Sequence, residues 1–208
     1  LAVGGDLSQE RLLLAYRMGI FPWYSEDEPI MWWSPDPRLV LYPSEFKVSR
    51  SLKKTIKKQM FKLTVDEVFE SVINACARSR TTADEGTWIV EEMIAAYCRL
   101  HDSGLAHSVE VWQDSELVGG LYGVSLGKCF FGESMFTHIS NSSKVVLAAL
   151  VEHLQALAFD FIDCQISTPH LLSFGAQEIP RTRFLRELEQ ALKSPTLKGK
   201  WSFNVSPA

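Results

Sequence analysis

The sequence predicts an α+β protein on a mostly antiparallel mixed sheet, with a small N-terminal α/β domain over residues 1–61 and a larger domain over 62–208. Three observations carry this. The β-patterned segments AHSVEVWQ, ELVGGLYGVSL and KCFFGESMF follow one another with only Asp114-Ser115 and a turn at Gly127 between them. Connections that short are hairpins, so these strands run antiparallel. Helix-patterned segments flank this meander on both sides, and one more strand follows the second flank. The first sixty residues are instead punctuated by proline and aromatic residues, which suits loops and short edge strands.

Taken in order, SQERLLLAYRMG reads as a short helix capped by Ser8 and stopped by Gly19. In GIFPWYSEDEPIMWWSPDPRLVLYP, the tryptophans Trp23, Trp32 and Trp33 fall within eleven residues of irregular backbone. They are core residues or, beside Arg38, flat surfaces on which a nucleobase stacks. The stretch KVSRSLKKTIKKQMFK holds seven of the 21 basic residues and no acidic one. On a helix, Arg50, Lys53, Lys54, Lys57 and Lys58 form one stripe, with Val48, Leu52, Ile56 and Gln59 opposite. No acidic residue one turn away compensates it. The stripe is either a solvated face or a grip for a polyanion such as a nucleic-acid backbone.

MFKLTV reads as a strand. DEVFESVINACARS is a helix started by Asp66, and WIVEEMIAAYCRLHDSG is a second, closed by Gly104. After the meander, Asn141 or Ser142 caps the apolar helix SSKVVLAALVEHLQALAF. The strand DFIDCQI, a helical stretch near HLLSFGA and a final amphipathic helix, RTRFLRELEQALK, complete the chain.

Composition narrows the function classes. At 208 residues, 46% hydrophobic and 22% charged, the chain has ordinary globular usage, and its net charge of −4 selects no partner. Cys76, Cys98, Cys129 and Cys164 are widely spaced without a CxxC, which favours reduced thiols and a cytoplasmic setting. The five histidines form no HxH or HExxH pair, so no metal site is expected. The longest apolar run, VVLAALV, is too short to cross a bilayer.

Two stretches point to chemistry. In FFGESMF, Glu133 sits among phenylalanines, where an ionised carboxylate is costly unless it has a partner or a task. In FIDCQI, the period of two puts Asp163 and Gln165 on one face and Ile162, Cys164 and Ile166 on the other, so the first pair must meet something polar.

The element order resembles that of the GNAT acyltransferases, in which the donor and an amine meet where two strands splay apart. GNAT enzymes cradle coenzyme A on a glycine-rich turn, and here that connection, THISNSSK, has no glycine. An unfamiliar acyl-CoA-dependent GNAT and a non-catalytic RNA-binding module are the rival readings. A second resemblance is more specific. GGDLS, AYRMGIFPWY, WWSPDPR, EGTWI, LVGGLYGV, FFGESMF, IDCQ and SFGAQEIPR occur in the order found in bacterial leucyl/phenylalanyl-tRNA–protein transferases, from Gly4 to Arg181. This resemblance implies transfer of leucine or phenylalanine from aminoacyl-tRNA to the N-terminal arginine or lysine of a protein. It implies marking for N-end rule degradation, with no cofactor: no coenzyme A, metal or nucleotide. The partners would be Leu-tRNA, Phe-tRNA and the acceptor protein, with neither DNA nor membrane, and a monomer is favoured.

By the same resemblance, Trp23 and Trp88 hold the 3′ adenosine by stacking, with Tyr16 nearby. Arg50, Lys53, Lys54, Lys57 and Lys58 match the basic helix on the tRNA acceptor stem. Leu121, Phe130, Met135, Leu147, Leu150, Leu154 and Ile162 match the walls of the Leu/Phe pocket; strict alternation puts Phe130 and Met135 on opposite faces of their strand, so a shared pocket implies a bulge near Gly132. Glu133, Asp163 and Gln165 match the reaction centre. There Asp163 is expected to polarise and orient Gln165, Gln165 to position the amine, and Glu133 to hold the cationic acceptor and accept its proton.

Overall fold

The computed structural model describes residues 2–80 and 89–203. The proline-punctuated N-terminal stretch folds as expected into short pieces: β1 (Ala2–Val3), α1 (Gln9–Arg17), β2 (Phe21–Pro22), β3 (Met31–Trp33) and β4 (Arg38–Leu41). α1 does stop at Gly19, where φ is +69°, and a Cβ there would come within 2.7 Å of Phe184 and Leu185. Ser8 occupies the N-cap position of α1 without a side-chain cap bond. β1, β3 and β2 make a small antiparallel sheet.

A 3-10 turn (Pro43–Glu45) leads into α2 (Arg50–Lys57), which is capped by Ser49. Then come β5 (Lys62–Val65), α3 (Phe69–Arg80), α4 (Glu91–Asp102) and the meander β6 (Ala106–Gln113), β7 (Glu116–Leu126) and β8 (Cys129–Thr137). α5 (Ser142–Ala156), β9 (Phe161–Gln165), α6 (Pro169–Ser173), β10 (Gln177–Ile179) and α7 (Arg181–Ala191) follow.

Two expected caps are corrected. Asp66 does not start α3, which begins three residues later. Its φ is +56°, and its buried carboxylate instead accepts from Ser108 N–H, Trp201 N–H and the His107 ring. Asn141 lies in the left-handed region and makes no side-chain cap to α5. The hydroxyl of Ser142 lies within reach of the carbonyls of Val118 and Ile139.

The main sheet has seven strands in the order β10-β4-β9-β8-β7-β6-β5. Every neighbouring pair is antiparallel except β8 and β9, which run parallel because α5 carries the chain back across one face. β4 joins this sheet from the N-terminal stretch, so the sheet straddles the boundary expected at residue 61. The sheet separates two apolar clusters. α1, α3, α4 and α7 cover one face, while α2, α5 and the Trp201 segment cover the other. Among the described residues no helix is long and apolar enough to cross a membrane.

Candidate active site at the parting of β8 and β9

The parallel pairing of β8 with β9 lasts three residues, ending at Phe131 opposite Asp163. Beyond it the strands part, and Glu133 and Gln165 lie just past the parting. β7 sets the position of Glu133. Tyr122 pairs with Ser134, but its neighbour Gly123 pairs with Gly132, so Glu133 is the extra residue of a bulge. Gly123 permits this, since a Cβ there would stand 2.2 Å from the Phe131 carbonyl oxygen. With this bulge, Phe130 and Met135 line the same cleft.

Glu133 is 8% exposed. Its Oε1 accepts from the Tyr16 hydroxyl and from Gln165 Nε2, both at 2.8 Å, and its Oε2 accepts from the Tyr97 hydroxyl at 3.0 Å. The two phenol oxygens also lie in hydrogen-bond contact, and with one proton apiece the phenols fill all three contacts only when the Glu133 carboxyl is protonated. Burial pushes the Glu133 carboxyl from the ordinary value near 4.5 up to about 7. The three donors pull the other way, and the charge of nearby Asp163 adds to the rise. Burial and the Glu133 carboxylate also push both phenols well up.

Asp163 is fully buried and gripped by Arg38 at both oxygens, Nε to Oδ1 and Nη2 to Oδ2, each 2.7 Å. Its Oδ1 also accepts the backbone N–H of Gln165 at 3.0 Å. Orientation of Gln165 by Asp163 thus runs through the main chain, while the Gln165 side-chain amide donates to Glu133. Gln165 itself leaves the strand conformation, with φ +64°, and Ile166 N–H bonds back to Cys164 O at 2.7 Å. That is a γ-turn of the strained hand, costing about 1–3 kcal/mol and held only by its surroundings.

Beside this network lies a cleft of about 280 Å³. Leu121, Phe130, Met135, Leu147, Leu150 and Ile162 line it, Trp23 borders it, and Glu133 and Gln165 face into it. Leu154 is fully buried one layer deeper and does not reach the cleft. Tyr16 is 1% exposed, and its hydroxyl donates to Glu133 behind the cleft. Trp23 is 41% exposed, edge-to-face with Trp33, whose Nε1 donates to the Trp23 carbonyl. Trp88 lies outside the described residues. On α2, Arg50, Lys53, Lys54 and Lys57, with Lys58 at its C-cap, are all exposed, while Leu52 is buried against α5. Gln59 lies past the end of the helix and is exposed, so it does not join the apolar side. Among the described residues, no group of three or more His, Cys, Asp or Glu could hold a metal ion.

Sequence reasoning missed Tyr97 and the pairing of Arg38 with Asp163. A buried aspartate calls for a cation, and that signal was available. Nothing local marks Tyr97 out among the apolar residues of α4.

The parallel strand pair thus parts beside a buried carboxylate whose value is raised to about 7, at the edge of an apolar cleft. The chain belongs to the leucyl/phenylalanyl-tRNA protein transferase family, whose model matches residues 40–189, with the model of that family's N-terminal domain matching residues 5–36. Relatives named leucyl/phenylalanyl-tRNA–protein transferase agree. That of Desulfatibacillum aliphaticivorans is 64% identical, covering 97% of this chain and 87% of its own. That of Syntrophus aciditrophicus is 57% identical over 100% and 87%. Among solved structures, a GCN5-related N-acetyltransferase from Kribbella flavida aligns with a TM-score of 0.38 at 12% identity, over 82% of this chain and 60% of that one.

Proposed function

We propose that the chain moves leucine or phenylalanine from an aminoacyl-tRNA onto the N-terminal arginine or lysine of a protein. The observation that carries this reading, in a chain of this family, is Glu133 at the end of an apolar cleft with a carboxyl value near neutrality. The cleft takes the Leu or Phe side chain. Trp23, together with Trp88, stacks the terminal adenosine, and the α2 stripe meets the acceptor-stem phosphates. The donor ester is already activated, so the protein needs only to hold the two reactants together and manage one proton.

The acceptor α-amine has an ordinary value of about 7.7–8.0. It approaches Oε2 of Glu133, the oxygen that carries only the Tyr97 donor among the described residues. The amine attacks the ester carbonyl carbon, a C–N bond forms, and Glu133 accepts the amine proton. Collapse of the tetrahedral adduct breaks the ester C–O bond, and Glu133 returns that proton to the leaving ribose oxygen, which restores the carboxylate. Gln165 fixes the Glu133 carboxylate in line with the amine. A base near neutrality suits this step, because it is ionised at working pH yet still basic enough to take a proton. Transfer of labelled leucine from Leu-tRNA to an Arg-initiated peptide tests the reading; release of the label to water alone would contradict it.

A further inference from the structure

The Arg38–Asp163 pair lies away from the cleft lining, yet it connects to the reaction centre through an unbroken set of contacts. Arg38 is 1% exposed and Asp163 is fully buried. The guanidinium lies over the Phe21 ring at 4.9 Å and the Phe184 ring at 4.5 Å. Phe21 borders the donor cleft, and Phe184 comes from α7. The pair therefore ties α7, β2, β4 and β9 together behind the site. Its two parallel bonds form a fork, which a lysine could not reproduce. A carboxylate held this way has one orientation, and its Oδ1 receives the Gln165 N–H. The turn at Gln165 is of the strained hand, so it relaxes if that acceptor moves. Its relaxation would carry the side-chain amide off Glu133.

We propose that Arg38 is a positioning residue for amine attack: by fixing Asp163 it holds Gln165 in its left-handed turn, and so keeps the Gln165 amide on Glu133. This rests on the transfer reading above, and neither the resemblance nor the family match assigns Arg38 a role. Arg38 touches no reactant. Its effect should appear in the rate of the chemical step and not in donor binding.

The test uses the full chain, Leu-tRNA and an Arg-initiated peptide. Arg38→Lys keeps the charge and loses the fork. Its turnover should fall by up to about 100-fold, the effect of misplacing a group by about an ångström, while KM for Leu-tRNA stays within a factor of about two. The decisive comparison is a cycle with Gln165→Ala. If Arg38 acts through Gln165, Arg38→Lys should add almost nothing once Gln165 is alanine. A merely structural Arg38 would impose the same penalty in both backgrounds, which would overturn the proposal, as would wild-type turnover in folded Arg38→Lys. Asp163→Asn, near-isosteric, is the second variant and should show the same dependence on Gln165. Failure of both variants to fold would assign the pair to stability alone and also overturn the proposal. If the wild type itself does not transfer leucine, the functional reading has failed, an outcome distinct from those above.

Discussion

At Glu133, three donors only partly offset the cost of burial, which leaves the carboxyl value raised to about 7. Such a group is stabilising when protonated and costly when ionised, so the sign of its pH effect is fixed. Its contribution is intact below about 4.5, declines as pH rises, and is lost above about 7. The penalty at pH 8 is about 3 kcal/mol. Glu133→Gln removes it, so thermal melts should place the variant about 5–10 °C above wild type at pH 8 and level with it near pH 4.5. A variant less stable than wild type at both pH values would mean that the carboxylate is a net stabiliser. Pocket residues work by shape alone. Met135 is half-buried on the cleft wall, and Met135→Ala should move preference toward the bulkier donor. Competition between Leu-tRNA and Phe-tRNA reads this as a shift of about 10-fold or more, since a methylene's difference in fit is worth about 1–3 kcal/mol. An unchanged ranking would remove Met135 from the pocket.

Among the elements, α2 and the β7–β8 bulge carry the most. The cations of α2 are exposed, and in the proposed reading they meet the donor's phosphates without regard to base sequence. Replacing Lys53, Lys54, Lys57 and Lys58 together with glutamine should flatten the salt dependence of tRNA binding, by roughly 0.7–0.9 log units for each phosphate no longer neutralised. An unchanged slope would make the stripe a solvated face. Local patterning made much of this level legible. β6 and β7 begin and end where the alternation and hairpin turns put them, and α2 lies within the basic stretch. The bulge was legible only through the resemblance, which assigns Phe130 and Met135 to one pocket although they disagree in phase. What failed was local chemistry read without its tertiary partners. Asp66 has the residue type of a cap, but three donors from β6 and the C-terminal segment hold it instead.

Across the whole molecule, the long-range pairings were the part the sequence concealed. β4 is four residues long and β10 three, and neither period nor length tells which distant strand they join. Yet β4 carries Arg38 to Asp163, 125 residues away along the chain, and α1 and α4 bring Tyr16 and Tyr97 to the same carboxylate. Glu133, Asp163 and Gln165 were legible as polar residues in apolar strands; the groups that tune them come from sequence remote to them. The proposed mechanism stands or falls on Glu133 accepting the proton of the attacking amine. The most direct measurement is the rate of labelled leucine transfer from Leu-tRNA to an Arg-initiated peptide across pH 5.5–9, in wild type and in Glu133→Gln. With Glu133 as the base, the wild-type rate climbs through about 7, and the variant is slower by about 100-fold and has lost this limb. A folded Glu133→Gln with the rate and pH profile of the wild type would contradict it.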